Sequence, residues 1–312
     1  MANGFTSIMS TRFFDAHQDI MDALPGRNGK SQTSFNDLPK SCCFAVASIF
    51  VAPETHNDNN DYRAEITKQL NACLAAIAAN PLLFLVGTKK DLSASRQKTG
   101  VIIHLEGLTK LSRKDMPFIH NLADKGVRSF GLTWNFDNDF AASCAGVSSG
   151  SLTKLGRDFV RFCHSNNLVV DIAHASKQTI DDCLSFGKPI IYSHGGCDSV
   201  LKHVRNISDG HIKAISQAGG GVGIFAVGKF LANKSGGRLA DFFKHIKHAL
   251  AVAGPNAVGL GTDLGGMFDY NLMAGAENMP DIQTALSAWK MPAIIKKKIA
   301  YSNWLTIYRR IL

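Results

Sequence analysis

Short apolar runs, rich in β-branched and aromatic residues, alternate along the chain with longer segments whose apolar residues recur every three or four positions. The first kind of run predicts buried strands and the second predicts helices. Eight strands are predicted, at residues 12–14, 44–51, 100–107, 127–134, 168–174, 189–194, 221–227 and 257–263. Helical patterns lie between most of these strands, and residues 280–312 are also predicted to be helical. Ser176 is placed to cap one helix, which Gly187 would end.

This alternation indicates an α/β fold with a parallel sheet, because parallel strands are buried on both faces and read as continuous apolar runs. Eight β/α units favour closure into a (β/α)8 TIM barrel. No Pro/Gly/Ser-rich linker and no internal repeat divides the 312 residues, so one domain over residues 1–312 is predicted. A doubly wound open sheet is the competing architecture, but its nucleotide-binding fingerprint is absent.

Polar residues follow five of the predicted strands at the same relative position. In a β/α barrel the chemistry lies at the carboxyl ends of the strands, which meet on one rim. One such residue would ordinarily be a loop hydrogen-bonding group, whereas six in register predict a shared site. These six are three histidines and three carboxylates: His17, Asp19, Glu106, His174, His194 and Asp263.

Neutral imidazole and carboxylate are the ligands that suit zinc-like divalent ions. His17 and Asp19 are two residues apart, so a strand would direct both side chains to the same face. Five ligands are too many for one tetrahedral zinc and predict two divalent metal ions that share a carboxylate. Asp263 would remain as the spare carboxylate, able to take a proton from water and pass it to a leaving group.

The chain resembles the membrane (renal) dipeptidase family, a branch of the metal-dependent amidohydrolases. The similarity covers nearly the whole sequence, and the motifs stand in the family's order. They are "DAHQDI", "FNDLPKSCCFAVASIFVAP", "HLEG", "GVRSFGLTWN", "VVDIAHAS", "IIYSH", "VRNISD" and "VGLGTDLGG".

The resemblance implies a binuclear zinc dipeptidase that cleaves small dipeptides through a metal-bridging hydroxide. His17 and Asp19 would hold one zinc ion, His174 and His194 the other, and Glu106 would bridge them. The family tolerates D-residues at the second position of the dipeptide and is commonly dimeric, so L-Xaa-D-Xaa substrates and a homodimer are also implied.

The same resemblance assigns two further roles. Asp263 would be the acid/base, and Arg205 would bind the terminal carboxylate of the substrate, for which a guanidinium fork is suited. The chain departs from the family at two positions. Trp134 occupies the place of a histidine thought to contact the substrate carbonyl, and Gly265 occupies the place of a second aspartate. Trp134 can donate a hydrogen bond but cannot exchange a proton, which puts rate and substrate preference in question.

Composition excludes other classes. The formal net charge is +9, but the lysines and arginines are dispersed, so no nucleic-acid partner is expected. The most apolar stretch, residues 70–86, is too short and too interrupted to span a membrane. Seven cysteines without a Cys-x-x-Cys motif, and no leader-like start, predict a cytoplasmic protein. His245 and His248 are predicted to lie on a solvated helix face, and His104 beside Glu106.

Three alternatives to a dipeptidase stay open. The substrate could be another amide, an N-acyl amino acid or a lactam, which the change at Trp134 would allow. The chain could be a metal-binding protein that lost turnover with the fourth-strand histidine. Nucleic-acid binding through the positive charge is last, and its mark would be a steeply salt-dependent affinity.

Overall fold

The computed structural model describes residues 12–20, 32–53, 59–93, 97–148, 150–233, 237–267, 272 and 278–312. Within these residues the strands are β1 (Phe13–Gln18), β2 (Cys42–Ile49), β3 (Leu83–Leu85), β4 (Thr99–Leu105), β5 (Val127–Gly131), β6 (Val169–Asp171), β7 (Ile191–Cys197), β8 (Asn206–Ile207), β9 (Gly221–Ile224) and β10 (Val258–Leu260).

Eight of these strands form a closed parallel barrel in the order β1, β2, β4, β5, β6, β7, β9 and β10. The closing pair joins β1 to β10, with Asp15 opposite Leu260. The prediction of a (β/α)8 barrel is therefore confirmed, with strands buried on both faces. β3 pairs with β4, and β8 pairs with β7, as additions to the ring.

Helices connect the strands on the outside of the barrel. They are α1 (Leu38–Ser41), α2 (Asn59–Ala79), α3 (Met116–Asp124), α4 (Lys154–Ser165), α5 (Lys177–Leu184), α6 (Asp209–Gln217), α7 (Leu239–Ala253), α8 (Met279–Ala288), α9 (Ala293–Lys297) and α10 (Asn303–Ile311), with a π-helical turn at Lys298–Ser302. Ser176 caps α5 as predicted, because its side chain accepts a hydrogen bond from the Thr179 backbone. Along these described helices, none combines the length and the apolar character needed to cross a bilayer.

The last helix, α10, covers the amino-terminal end of the barrel. The Trp304 indole donates to the Leu260 carbonyl over 2.8 Å, and the Tyr308 ring lies 5.1 Å from that of Phe14. Gly259 makes room for this helix, since a Cβ there would lie 2.3 Å from the Trp304 indole nitrogen. The rings of Trp304 and Tyr308 thus cover the amino-terminal end of the barrel, whereas the predicted rim residues lie at the carboxyl ends of the strands.

One prediction about the helices is wrong. His245 is fully buried rather than solvated: its Nδ1 accepts from the Cys197 backbone over 2.8 Å, and its Nε2 lies 3.1 Å from the Leu231 carbonyl oxygen. His248 is partly exposed and pairs with Asp209 at 2.7 Å. The face of α7 that carries His245 packs against the barrel, so the lysines beside His245 in sequence gave a misleading picture of its surroundings.

Candidate metal centre

The carboxyl ends of five barrel strands bring the six predicted rim residues together. His17 lies in β1 and His194 in β7, while the other four directly follow strands or come within three residues of a strand end. Five of the six are buried, and Asp19 is nearly so. We call this set the metal centre: His17, Asp19, Glu106, His174, His194 and Asp263.

Glu106 occupies the middle of the metal centre. Its Oε1 lies 3.1 Å from His174 Nε2 and 3.7 Å from His194 Nε2, and its Oε2 lies 3.7 Å from His17 Nε2. His17 Nε2 is in turn 3.6 Å from Asp19 Oδ1 and 4.0 Å from Asp263 Oδ1. One carboxylate therefore faces two histidines on one side and a histidine with two aspartates on the other.

These side chains could hold divalent metal ions in two sets of three. The ligand atoms of Glu106, His174 and His194 all lie within 4.8 Å of one another, and so do those of His17, Asp19 and Asp263. A third set, with the same spread, joins His17 and His194 to Asp171. Asp263 thus has the position of a metal ligand as well as that of the proton carrier suggested by sequence.

Unsatisfied polar atoms support a metal at this place. Both ring nitrogens of His17 and the Oδ1 atom of Asp19 are buried and make no hydrogen bond with any residue that the structure describes. Buried polar groups rarely lack a hydrogen-bond partner, because burial removes their hydration and only a new partner compensates for that loss. A divalent cation would satisfy the Nε2 and Oδ1 atoms, so the donor set fits the group that the sequence predicts.

Two side chains that were not predicted orient the histidine rings. His174 Nδ1 lies 2.9 Å from Asn135 Oδ1, and His194 Nδ1 lies 2.8 Å from Ser193 Oγ. Each contact fixes a ring so that its Nε2 faces Glu106, which is the usual arrangement around metal-binding histidines. The sequence offers one indication of a role for Asn135, namely that it directly follows Trp134 in the motif "LTWN".

A second polar layer lies beneath His17. The His104 ring meets that of His17 edge-on at 5.5 Å, as expected for a neighbour of the centre. His104 Nδ1 lies 2.8 Å from Ser129 Oγ, and its Nε2 lies 3.7 Å from Asp171 Oδ2. Sequence reasoning missed Asp171, whose Oδ1 accepts backbone hydrogen bonds from Ala173 and Ser193.

Strained backbone directs two of the functional side chains. His174 and Asp263 have φ angles of 64° and 60°, in the left-handed region that residues with a Cβ rarely adopt. Gly265, two residues after Asp263, also has a positive φ angle, of 92°. A Cβ at Gly265 would lie 2.1 Å from the backbone oxygen of Asp19, so the loop after β10 passes too close to Asp19 for a side chain.

Burial and neighbouring charges separate the pKa values of the centre. Burial, reinforced by the Asp19 carboxylate, raises the pKa of Asp263 to about 8. Burial, with the positive charge of Arg205, lowers the pKa of His174 to about 3. Burial also opposes a charge on His17, but the Glu106 and Asp19 carboxylates outweigh it and raise the pKa of that imidazole well above its usual value.

Arg205 is buried on the β7 side of the centre. Only 5% of the residue is exposed, its Nη1 has no hydrogen-bond partner among the described parts of the chain, and its Cζ lies 5.9 Å from the centroid of the Phe225 ring. Its backbone oxygen accepts from the Tyr192 hydroxyl over 2.6 Å, which fixes the segment. A buried guanidinium with an unused donor is suited to an anionic ligand. A neighbouring cavity of about 500 Å³ is lined by Tyr192, Cys144 and other residues, but by none of the metal centre.

Trp134 follows β5 and borders the metal centre at His174. Its half-buried ring lies 4.7 Å from that of Phe50, 5.7 Å from that of Phe136 and 6.3 Å from that of His174, measured between centroids. Trp134 thus borders a residue of the metal centre, and its contact with the substrate stays a prediction.

Comparisons with known proteins agree with this geometry. The family model described as membrane dipeptidase (peptidase family M19) matches residues 8–311. An uncharacterized dipeptidase of Schizosaccharomyces pombe is 28% identical over 233 residues, which are 72% of this chain and 53% of the yeast protein. The chain thus spans about half the length of that relative. An uncharacterized protein from the pqqA 5′ region of Klebsiella pneumoniae is 25% identical over 199 residues, which are 60% of this chain and 73% of that protein.

Solved structures share the fold. A metallo peptidase from Rhodobacter sphaeroides, liganded with a phosphinate mimic of L-Ala-D-Ala, superposes with a TM-score of 0.87 at 18% identity, over 96% of this chain and 99% of that one. The probable dipeptidase PvdM from Pseudomonas aeruginosa gives a TM-score of 0.85 at 16% identity, over 96% and 95% of the two chains. At these identities the likeness establishes the barrel architecture.

Proposed function

This chain belongs to the membrane dipeptidase family, peptidase family M19, and we propose that it hydrolyses the peptide bond of free dipeptides at a centre of two zinc ions. The observation that carries the proposal is the metal centre itself. Glu106 lies between two sets of possible ligands, beside buried atoms of His17 and Asp19 that have no hydrogen-bond partner within the described ranges.

In this proposal His17 and Asp19 hold one ion, His174 and His194 hold the other, and Glu106 is shared. Bound divalent ions would supply a hydroxide nucleophile at neutral pH and polarise the carbonyl of the scissile bond. Burial keeps the His174 imidazole neutral, which leaves its Nε2 lone pair available as a ligand. Zinc and the number of ions are parts of the proposal, as are a homodimer and a cytoplasmic location.

Asp263 would move the proton. Its carboxyl group borders the His17 side of the centre, where a carboxylate can take a proton from water and return it. It would pass the proton to the leaving amine as the peptide bond breaks. Trp134 has no titratable group, so β5 contributes no second acid or base.

Arg205 would select short substrates. Its buried guanidinium can bind the free carboxylate of a dipeptide, whose scissile carbonyl then reaches the metal centre. A longer peptide would have to leave its carboxylate outside this contact or bury further residues against the Tyr192 segment. L,L and L,D dipeptides are both proposed as substrates.

The test is hydrolysis of L,L and L,D dipeptides and N-acyl amino acids by zinc-loaded and chelated protein, in the parent and in Asp263→Asn. We expect zinc-dependent dipeptide cleavage in the parent and loss of turnover in the variant, with metal content near normal. Asp158→Asn, an exposed aspartate on α4 that pairs with Arg113 and Arg161, is the matched control and should behave like the parent.

Other outcomes would point elsewhere. Turnover retained in Asp263→Asn would remove the proposed proton carrier. Cleavage of N-acyl amino acids without dipeptides would make the chain an amidohydrolase of different substrate class. Two bound metals with no turnover of any substrate would favour a metal-binding protein without catalysis.

A further inference from the structure

An aromatic surface borders the metal centre on the β5 side. It consists of Phe50, Trp134 and Phe136, which we call the aromatic wall, and Phe136 is 42% exposed. We propose that the aromatic wall binds the side chain of the N-terminal residue of the substrate and selects large apolar or aromatic residues there. This inference rests on the proposed dipeptidase function and names the substrate class.

The order of strands places the aromatic wall opposite Arg205. Phe50 follows β2, and Trp134 and Phe136 follow β5, so the wall spans the arc of the ring from β2 through β4 to β5. Arg205 follows β7 and packs against Phe225, which follows β9. Around the eight-strand ring, β7 lies across from β2 and β9 lies across from β4, so the metal centre is between Arg205 and the part of the wall that begins at Phe50.

A substrate bound across the centre would therefore have a fixed direction. With its carboxylate at Arg205 and its scissile carbonyl at the metal centre, the residue on the amino side would lie towards Phe50 and the Trp134 ring that packs on it. Consecutive Cα atoms are about 3.8 Å apart, so a single residue covers the distance from the scissile bond to a ring that borders His174. The 6.3 Å between the Trp134 and His174 rings is of this scale.

The aromatic wall is held rigidly to the metal centre. The Ser143 hydroxyl donates to the Trp134 carbonyl over 2.5 Å, and the next residue, Asn135, contacts the His174 ring. Gly107, which follows Glu106, passes so near that a Cβ there would lie 3.0 Å from the Trp134 nitrogen. A surface fixed in this way needs little ordering when a ligand binds.

The chemistry of the wall is apolar. Three tilted rings offer faces and edges to another ring or to an aliphatic side chain, and such contacts add to the simple burial of apolar area. A histidine at position 134 would instead offer a polar ring. The replacement therefore removes a hydrogen-bonding group and adds contact area at the same place, which shifts preference from polar towards apolar substrates.

The experiment compares kcat/KM for Gly-Ala, Ala-Ala, Leu-Ala and Phe-Ala in the zinc-loaded parent, Trp134→Ala and Trp134→Phe. We expect the parent to prefer Phe-Ala over Gly-Ala by roughly 10-fold or more. Trp134→Ala should lose most of this ratio, chiefly through kcat/KM for Phe-Ala, and Trp134→Phe should retain most of it. Trp289→Phe, a half-buried tryptophan packed on Phe243 away from the centre, is the matched control and should keep the parental ratio.

Two results would overturn the inference. Equal kcat/KM values for the four dipeptides in the parent would show that the aromatic wall does not select among side chains. A higher kcat/KM for Phe-Ala in Trp134→Ala would show that the wall excludes large side chains. If no dipeptide is cleaved, the proposed function fails, and calorimetric binding of the same dipeptides then decides the inference. Affinity that rises with side-chain size and is lost in Trp134→Ala supports the wall, and equal affinities contradict it.

Discussion

Replacement of Gly265 by alanine should damage both the fold and the metal centre. At φ of 92°, a residue with a Cβ adopts a conformation that costs about 1–2 kcal/mol. The new Cβ would also lie 2.1 Å from the Asp19 backbone oxygen, where ordinary contacts begin at 3.4 Å. One of the two backbones must move, and overpacking of this kind costs about 1–3 kcal/mol. The free energy of unfolding should therefore fall by about 2–5 kcal/mol.

Gly187→Ala separates the two contributions. Gly187 has φ of 64°, also positive, but nothing lies within 4 Å of a Cβ built there. This control should lose only about 1–2 kcal/mol, partly offset by the stiffer unfolded chain. Urea unfolding of the metal-free proteins measures the difference, and zinc titration shows whether Asp19 has moved. Equal stability losses in both variants, with parental zinc affinity in Gly265→Ala, would refute the close approach.

Two further predictions concern metal binding. Asn135→Ala should weaken zinc affinity about 10- to 100-fold in competition with a chelator, because His174 loses the acceptor that fixes its ring. Asn121→Ala, on the exposed face of α3, should leave that affinity unchanged, and equal affinities in both variants would exclude the role of Asn135. Zinc binding at pH 7 should release on the order of two protons, since the raised pKa values of His17 and Asp263 keep both protonated without metal. Affinity should accordingly rise as the pH increases through about 8, where Asp263 loses its proton unaided. Calorimetry in buffers of different ionisation enthalpy measures this release, and a heat independent of buffer would contradict it.

The barrel and its rim could be predicted because both leave local marks in the sequence. Buried parallel strands read as apolar runs. The residue type at each strand end can be read from the sequence without knowing which side chains it meets in the fold. The elements that were missed are short: β3 has three residues and β8 has two, so neither displays a period. They exist because a neighbouring strand supplies their hydrogen bonds.

Partner-dependent roles could not be read from sequence. Asp15 stands with His17 and Asp19 in one polar group at the end of the first strand, yet its carboxylate turns away from the rim residues. It accepts hydrogen bonds from the Thr262 backbone at 2.8 Å, the Thr262 hydroxyl at 2.5 Å and the Gln18 amide at 2.8 Å. Only the closed barrel reveals that Asp15 fastens β1 to β10.

This fastening has a consequence for how the molecule is made. Asp15 and Thr262 are 247 residues apart in the chain, and the closing strand pair lies beside them. During synthesis the metal centre stays incomplete until residue 263 has been made, because Asp263 follows β10 and contacts of such long range form late. A chain that stops before β10 would carry five of the six residues of the metal centre without the strand that closes the barrel around them.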